Sequence, residues 1–198
     1  MRRLIAKIIN KLISLLIFCI LLVVIYKVVT SGIDSAYKAM YPIKYSEYVT
    51  KYSEEYNVDS YLIYAIIRTE SGFKEDAQSN KDAFGLMQII PTTGEEVAKK
   101  LKMKDYTQED LINPETNIKI GTWYIKYLIG KFDGDLDLAI AAYNAGMGKV
   151  REWLGNPEYS PEGKLVNIPF PETENYLKKV TKSYNMYKKI YNQNNDEQ

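Results

Sequence analysis

The stretch Asp59-Ser60-Tyr61-Leu62-Ile63-Tyr64-Ala65-Ile66-Ile67-Arg68-Thr69-Glu70-Ser71-Gly72 decides how the rest of the chain is read. Asp59 suits a helix N-cap, because its carboxylate can accept from the first free backbone N–H groups, and Ser71-Gly72 suits a stop. Between them Leu62, Ile63, Ile66 and Ile67 recur at helical spacing and form an apolar stripe. Glu70 follows Ile63 by seven positions, Ile66 by four and Ile67 by three, so it falls on that stripe. A carboxylate so placed loses water, which disfavours its charged form and raises its pKa. General acid catalysis needs such a group, one that holds a proton near neutral pH and can still release it. The competing reading is an exposed glutamate at a fraying helix end, as most glutamates are, and periodicity alone does not choose between the two.

Outward from this helix the same period continues. Upstream, Tyr45, Tyr48, Val49, Tyr52 and Tyr56 predict an amphipathic helix. Downstream, a turn-rich stretch from Lys74 to Phe84 leads to Gly85-Leu86-Met87-Gln88-Ile89-Ile90, and Pro91-Thr92-Thr93 opens a short helix over Val97, Ala98 and Leu101. Asn113 caps the next helix with Pro114 at its first position, and Ile118, Trp123, Ile125, Tyr127 and Leu128 supply its partly buried face. Leu136 to Ala145 is a further helix closed by Gly146, and Glu172 to Ile190 another, with Tyr176, Val180, Tyr184 and Tyr187 in phase. The Pro-, Gly- and Asn-containing stretch from Gly155 to Pro171 is too long for a simple connector, so it is either a functional cover or disordered. No alternating strand pattern of useful length occurs. The expectation is a mainly α-helical domain over residues 43–191 with a polar tail at 192–198.

Composition removes many chemistries. The chain has 198 residues, no histidine and a single cysteine, Cys19. A Ser-His-Asp triad, a Cys-His peptidase and the histidine-rich zinc sites of amidases and metalloproteases each need a residue type that is absent. Carboxylates, hydroxyls, amides and amines remain, and neither a metal nor any other cofactor is expected. Five basic residues and no acid lie in the first 29 positions, which leaves 21 basic against 25 acidic residues in the remainder. That mildly acidic remainder argues against a nucleic-acid partner.

The basic residues Arg2, Arg3, Lys7 and Lys11 precede an apolar run, uncharged from Leu12 to Tyr26, with only Lys11 and Lys27 in the span from Ile8 to Val29. About 20 such residues cross a bilayer as a helix, and flanking lysines can snorkel. Residues 1–29 therefore read as a single transmembrane signal anchor, N-terminus inside, with residues 30–42 as a polar linker to an extracytoplasmic domain. The alternative is a signal peptide cleaved near Val29-Thr30-Ser31, which would secrete the domain. Cys19 reads as a small apolar residue, with palmitoylation as the alternative.

Four separated blocks then carry a resemblance. They are Glu70-Ser71-Gly72-Phe73 followed by Ser79; Gly85-Leu86-Met87-Gln88-Ile89 with Pro91; Ala142-Tyr143-Asn144-Ala145-Gly146; and Pro171-Glu172-Thr173 with Tyr176. In order and spacing, across roughly Tyr45 to Tyr187, this pattern resembles the soluble lytic transglycosylase family. Goose-type lysozymes are similar in fold but share less of it. Two departures stand out: Asn80-Lys81-Asp82 replaces the family's common Pro-Ala-Gly, which could change the turn beside Ser79, and Leu177 replaces the commoner valine.

The resemblance implies a lysozyme-like helical domain with a groove for peptidoglycan glycan strands. It places the catalytic glutamate at Glu70, with Ser79 as a hydrogen-bond partner near that acid or the sugar. Met87 and Gln88 would line the groove, Tyr143 and Asn144 would face the reacting sugar, and Tyr176 with Glu172 would close the site. It also implies a non-hydrolytic cleavage that leaves 1,6-anhydro ends. Read singly, each residue has a structural alternative: Met87 and Tyr143 in the core, Ser79 in a turn, Glu172 and Asn144 at helix ends. Two other functions stay open: a hydrolytic muramidase in which Asp76, Asp82 or another acid positions water, and a non-catalytic glycan-binding protein of the same fold.

Overall fold

The computed structural model describes residues 2–192, and the chain divides into two compact units, Met1–Pro42 and Ile43–Gln198. The first unit is one helix, α1 (Arg2–Met40). Asn10–Met40 within it is long and apolar enough to cross a membrane, and its large side chains from Leu12 to Val29 are all about half exposed or more. The expected polar linker is helical as far as Met40. Pro42 is the first proline after the apolar run, and proline pushes the residue before it out of the helical region, so nothing earlier ends the helix. Cys19 is exposed on this helix and forms no disulfide.

The second unit is built from α2 (Ser46–Tyr56), α3 (Ser60–Glu70), α4 (Pro91–Lys100), α5 (Pro114–Lys131), α6 (Leu136–Ala145), α7 (Met147–Leu154) and α8 (Pro171–Asn192). Among the described residues there is no strand, only isolated bridges pairing Gln78 with Phe84 and Phe84 with Ile89. The expected caps are in place: the Asp59 carboxylate accepts from the Tyr61 N–H, the Asn113 side chain from Thr116, and Gly146 ends α6 at a positive φ. Residues 193–198 of the expected polar tail lie outside the described residues, and Asn192 belongs to α8.

Helix α6 is the hub. Ala139, Ile140, Ala141 and Ala142 are all buried, and α5, α7 and α8 pack against it. Small side chains let neighbouring backbones approach closely, and four consecutive buried positions put this turn of α6 inside. Helix α3 contributes Leu62 through Ile67, each at most 3% exposed, and lies against α8. Burying a large aliphatic side chain contributes roughly 1.5–3 kcal/mol, so this one helix carries a substantial share of the stability. The α3–α8 register is set by pairs running in opposite directions along the two helices: Tyr176 on Glu70, Ser183 on Arg68, Tyr187 stacked on Tyr64 and Tyr191 on Tyr61.

Helix α7 has no counterpart in the sequence reading. It buries only Val150 and Trp153, one turn apart, too short a signal to define a period. The stretch from Gly155 to Pro171 contains a short 3-10 turn at Pro161–Gly163 and sets Phe170 edge-on to Trp153.

Candidate active site

A cavity of about 340 Å³ opens where the end of α3, the loop after it, α5, the end of α6 and the start of α8 converge. Its lining includes Glu70, Ser79, Lys81, Gln88, Thr93, Tyr124, Tyr143, Asn144 and Glu172. Glu70 is the last residue of α3, and the backbone leaves it sharply. Ser71 closes the helix, its N–H and its hydroxyl both donating to the Ile67 carbonyl, and then Gly72 and Phe73 adopt left-handed φ values of 58° and 67°. A phenylalanine in that region is strained, and here its ring is buried in exchange. The reversal lets the chain fold back so that the loop carrying Ser79 to Gln88 faces the Glu70 carboxyl across the cavity.

The carboxyl itself has one protein partner. The Tyr176 hydroxyl donates to Glu70 Oε1 at 2.6 Å, while Oε2 has no protein partner among the described residues. Burial pushes the Glu70 pKa up from 4.5 to about 7, against the opposing pull of the Tyr176 hydrogen bond. Desolvation outweighs a charge-assisted hydrogen bond, so the acid keeps its proton into the neutral range. Tyr176 and Tyr143 are both held well above the usual tyrosine range, by burial first and by the neighbouring Glu70 second, and so remain donors.

Around this acid each expected residue takes a definite place. Tyr143 lines the cavity, and its hydroxyl donates to the Met87 carbonyl oxygen at 2.9 Å. The Asn144 side-chain oxygen accepts from the Thr173 hydroxyl at 2.8 Å, while its amide nitrogen has no protein partner among the described residues. Gln88, at a positive φ of 48°, lines the cavity and turns its amide nitrogen back onto the Ala77 and Gly85 carbonyls. Ser79 lines the cavity and also organises the turn, its oxygen accepting from the Lys81 and Ala83 N–H groups. Glu172 stands exposed at the rim, paired with Lys81 at 2.8 Å and 3.0 Å. Asp76 and Asp82 do not line the cavity.

Met87 differs from expectation. It is fully buried, its side chain filling the space over Gly121, where any Cβ would collide with it. It therefore supports the cavity from beneath, through its carbonyl on Tyr143. Tyr176 likewise is buried and reaches the site only through its hydroxyl.

Three contributors escape the sequence reading. Asn117, fully buried on α5, accepts from the Met87 N–H and donates to the Phe84 and Leu111 carbonyls, so it ties the whole Gly85–Gln88 turn to the core. A Cβ on Gly85 would strike the Leu111 carbonyl and this amide, which explains the glycine. A polar residue one turn below Gly121 on an otherwise apolar face was the available signal. Lys81 and Tyr124 also line the cavity, and exposed or half-exposed single residues leave no periodic trace.

Residues 47–166 match the family described as the transglycosylase SLT domain. The chain belongs to this family. It is 42% identical to the soluble lytic murein transglycosylase of Salmonella typhimurium over 126 residues, 62% of this chain and 19% of that protein. Membrane-bound lytic murein transglycosylase C of Edwardsiella ictaluri is 34% identical over 164 residues, covering 70% of this chain and 45% of the relative. The solved 70-kDa soluble lytic transglycosylase of Escherichia coli superposes with a TM-score of 0.72 at 34% identity, over 78% of this chain and 25% of that one. A structure of lytic transglycosylase Slt from Pseudomonas aeruginosa, an inactive variant with glutamine in place of a glutamate, gives 0.70 at 33% identity, over 77% and 25%. The chain thus spans about a fifth of the soluble relatives' length. The lysozyme-like SLT domain holds Glu70, Ser79, Gln88, Tyr143 and Asn144 within the matched residues, whereas Glu172 and Tyr176 come from α8 beyond them.

Proposed function

We propose that this protein is a peptidoglycan lytic transglycosylase in which Glu70 is the single acid and base. The observation that carries the reading is Glu70 itself, a carboxyl with burial raising its pKa to about 7, set in a cavity with one oxygen on Tyr176 and the other unpartnered. Several of the similar proteins are lytic murein transglycosylases, and in one of them a glutamate-to-glutamine variant is described as inactive.

In the proposed reaction the Glu70 carboxyl donates its proton to the glycosidic oxygen between N-acetylmuramic acid and N-acetylglucosamine, and the bond to the muramic anomeric carbon breaks. The acetamido oxygen of the same sugar shares the positive charge left on that carbon. Glu70, now a carboxylate, takes the proton of the 6-hydroxyl as its oxygen attacks the anomeric carbon. The product is a 1,6-anhydro ring, Glu70 regains its proton and no water is consumed. Tyr176 holds the carboxyl in both charge states, donating more strongly to the anionic one. Asn144, with its free amide nitrogen, and Ser79, Gln88 and Tyr143 form the sugar-facing wall, with Glu172 at the rim.

A hydrolytic muramidase is the second reading, because Glu172 is another carboxylate in the lining. Its pairing with Lys81 argues against a role as base. Digestion of purified peptidoglycan by the full chain in detergent, with mass analysis, separates the two. Anhydro ends, one water lighter, are expected, and hydrated ends alone overturn the proposal.

Residues 1–29 are proposed as a membrane anchor and residues 30–42 as the connector, so that a domain over residues 43–191 meets the wall from the extracytoplasmic side. The apolar exposed surface of α1 and the similarity to a membrane-bound transglycosylase support membrane association.

A further inference from the structure

The later part of α8 carries charge of one sign only. Residues 30–198 hold 21 basic and 25 acidic side chains, yet 177–192 hold five lysines and no acid. Lys178, Lys182 and Lys189 follow at steps of four and seven, so they line one face over about 16 Å, with Lys179 on its shoulder. All four are exposed. Three exposed lysines on α4, α7 and α8 meet an acid one turn away: Lys99 pairs with Glu95, Lys149 with Glu152 and Lys178 with Glu174. Lys179, Lys182 and Lys189 have no ion-pair or hydrogen-bond partner among the described residues. Like charges one turn apart repel, so Lys182 lies at a spacing from Lys178 and Lys179 that costs the helix stability. The helix C-terminus favours Lys189 in the last turn, but Lys179 and Lys182 stand too far from that end to gain from it. A face that repels itself in water is suited to a partner of opposite charge.

The face also has a definite direction. Helix α8 turns Tyr176, Val180, Ser183 and Tyr187 inward, and Tyr176 reaches Glu70. Lys178 follows Tyr176 by two positions, which at about 100° per residue is roughly 200° around the helix. The lysines thus point away from the side of α8 that meets Glu70. We propose that this face rests on an anionic lipid surface, that of the membrane in which residues 1–29 are anchored, with Lys179, Lys182 and Lys189 each on headgroup phosphates. A cluster of about four basic residues on a helix held near a membrane has this affinity, and the anchor supplies the local concentration, so a weak attraction per lysine suffices. The consequence is orientation: with the lysines on lipid, the side of α8 that bears Tyr176 is turned from the headgroups toward the wall. The proposal rests on the reading of residues 1–29 as a membrane anchor and goes beyond it.

The test uses the full chain in vesicles of phosphatidylcholine alone or mixed with phosphatidylglycerol. A membrane-impermeant acylating reagent is applied, and the rate at each lysine is read by peptide mass. Anionic vesicles should slow acylation of Lys178, Lys179, Lys182 and Lys189 roughly fivefold relative to neutral ones. Lys100, exposed on α4, should react alike in both. Molar salt should abolish the protection, because the Debye length falls to about 3 Å. The triple variant Lys179→Gln, Lys182→Gln, Lys189→Gln changes exposed side chains only, so its unfolding temperature should match the parent, and its Lys178 should react alike in both vesicles. Equal parent rates in the two vesicles, or slowing at Lys100 to the same extent, would overturn the assignment. So would protection by poly(glycerol phosphate) added to neutral vesicles with none from anionic ones, since that gives the face to a wall polymer. Flotation of the vesicles reads the anchor separately: a chain that floats with equal rates keeps its anchor and loses the lysine contact, and one that floats with neither kind of vesicle loses both.

Discussion

The floor and the rim of the Glu70 cavity each present a glutamate, and the two are built in opposite ways. At the floor, Glu70 sits at the end of a helix buried from Leu62 to Ile67, with its bonded oxygen on a buried tyrosine. The hydroxyl of Tyr143 is tied to Met87, and the turn bearing Met87 is tied in turn to Asn117. At the rim, Glu172 meets Lys81 with both side chains at least two-thirds exposed. The same functional group is thus a desolvated acid in one place and a solvated ion in the other. Low dielectric and a fixed partner make the floor costly and chemically useful, whereas water makes the rim cheap and adjustable.

The largest effect should come from Glu70→Gln. The amide can still accept from Tyr176, so the fold should survive, while turnover on peptidoglycan falls by roughly 10²–10⁴. Stability should move the other way. In the folded protein the carboxyl holds its proton to about pH 7, whereas unfolded it releases it near 4.5. Between those values the folded state binds more protons, so the parent loses stability as pH rises through that window. The variant lacks this loss: near pH 4 the two proteins should unfold alike, and at pH 8 the variant should be the more stable by roughly 3 kcal/mol. Denaturant unfolding at the two pH values checks it, and equal stability at pH 8 would mean that the floor is no drier than the rim.

Next in size is Asn117→Ala. It leaves the Met87 N–H and the Phe84 and Leu111 carbonyls without their partner inside the core, a loss of roughly 3–5 kcal/mol in unfolding free energy. A change under about 1 kcal/mol, within the range of surface substitutions, would show that the turn is held by its glycine geometry alone.

These two residues also mark how far the sequence could be read. Helices with a cap, a stop and several apolar residues in phase were legible, because each signal lies within a few positions; α7, with Val150 and Trp153 alone, was not. Glu70 was legible as an acid on an apolar stripe, a local fact. That its oxygen meets Tyr176 depends on the antiparallel register of α3 and α8, which no local pattern encodes, and only the resemblance of separated blocks pointed to it. The motif puts Met87 in the groove although it lies beneath it, since its neighbour Gly121 makes room for it from 34 positions away. Asn117 leaves in the sequence only a polar residue on an apolar helix face, which marks a buried partner without saying which backbone groups it meets.

Tyr176→Phe should act more narrowly. The ring still fills its place, but the carboxylate loses the donor that favours its charged form, so the Glu70 pKa should rise further. In a profile of kcat/KM against pH, the alkaline limb set by loss of the Glu70 proton should shift upward by about one unit. An unmoved limb would detach Tyr176 from the acid and leave it as packing.

The smallest effect is expected at the rim, from Lys81→Ala. The pair joins the loop after α3 to the start of α8 across 91 positions, and its location makes it look like a strut. Exposure argues otherwise. An ion pair in water gains little over two hydrated ions and loses side-chain freedom, so unfolding free energy should change by less than about 1 kcal/mol. What the pair does restrain is the Glu172 carboxylate, which without Lys81 is free to swing. KM for peptidoglycan should therefore rise by a factor of roughly two to five while the alkaline limb of the pH profile stays where it was, because Glu70 is screened from the rim. The parent in molar salt should approach the variant's KM, since the same screening that weakens the pair requires no mutation. A shift of the limb in Lys81→Ala would mean that the rim charge reaches the acid after all, and the division between dry floor and wet rim would have to be given up.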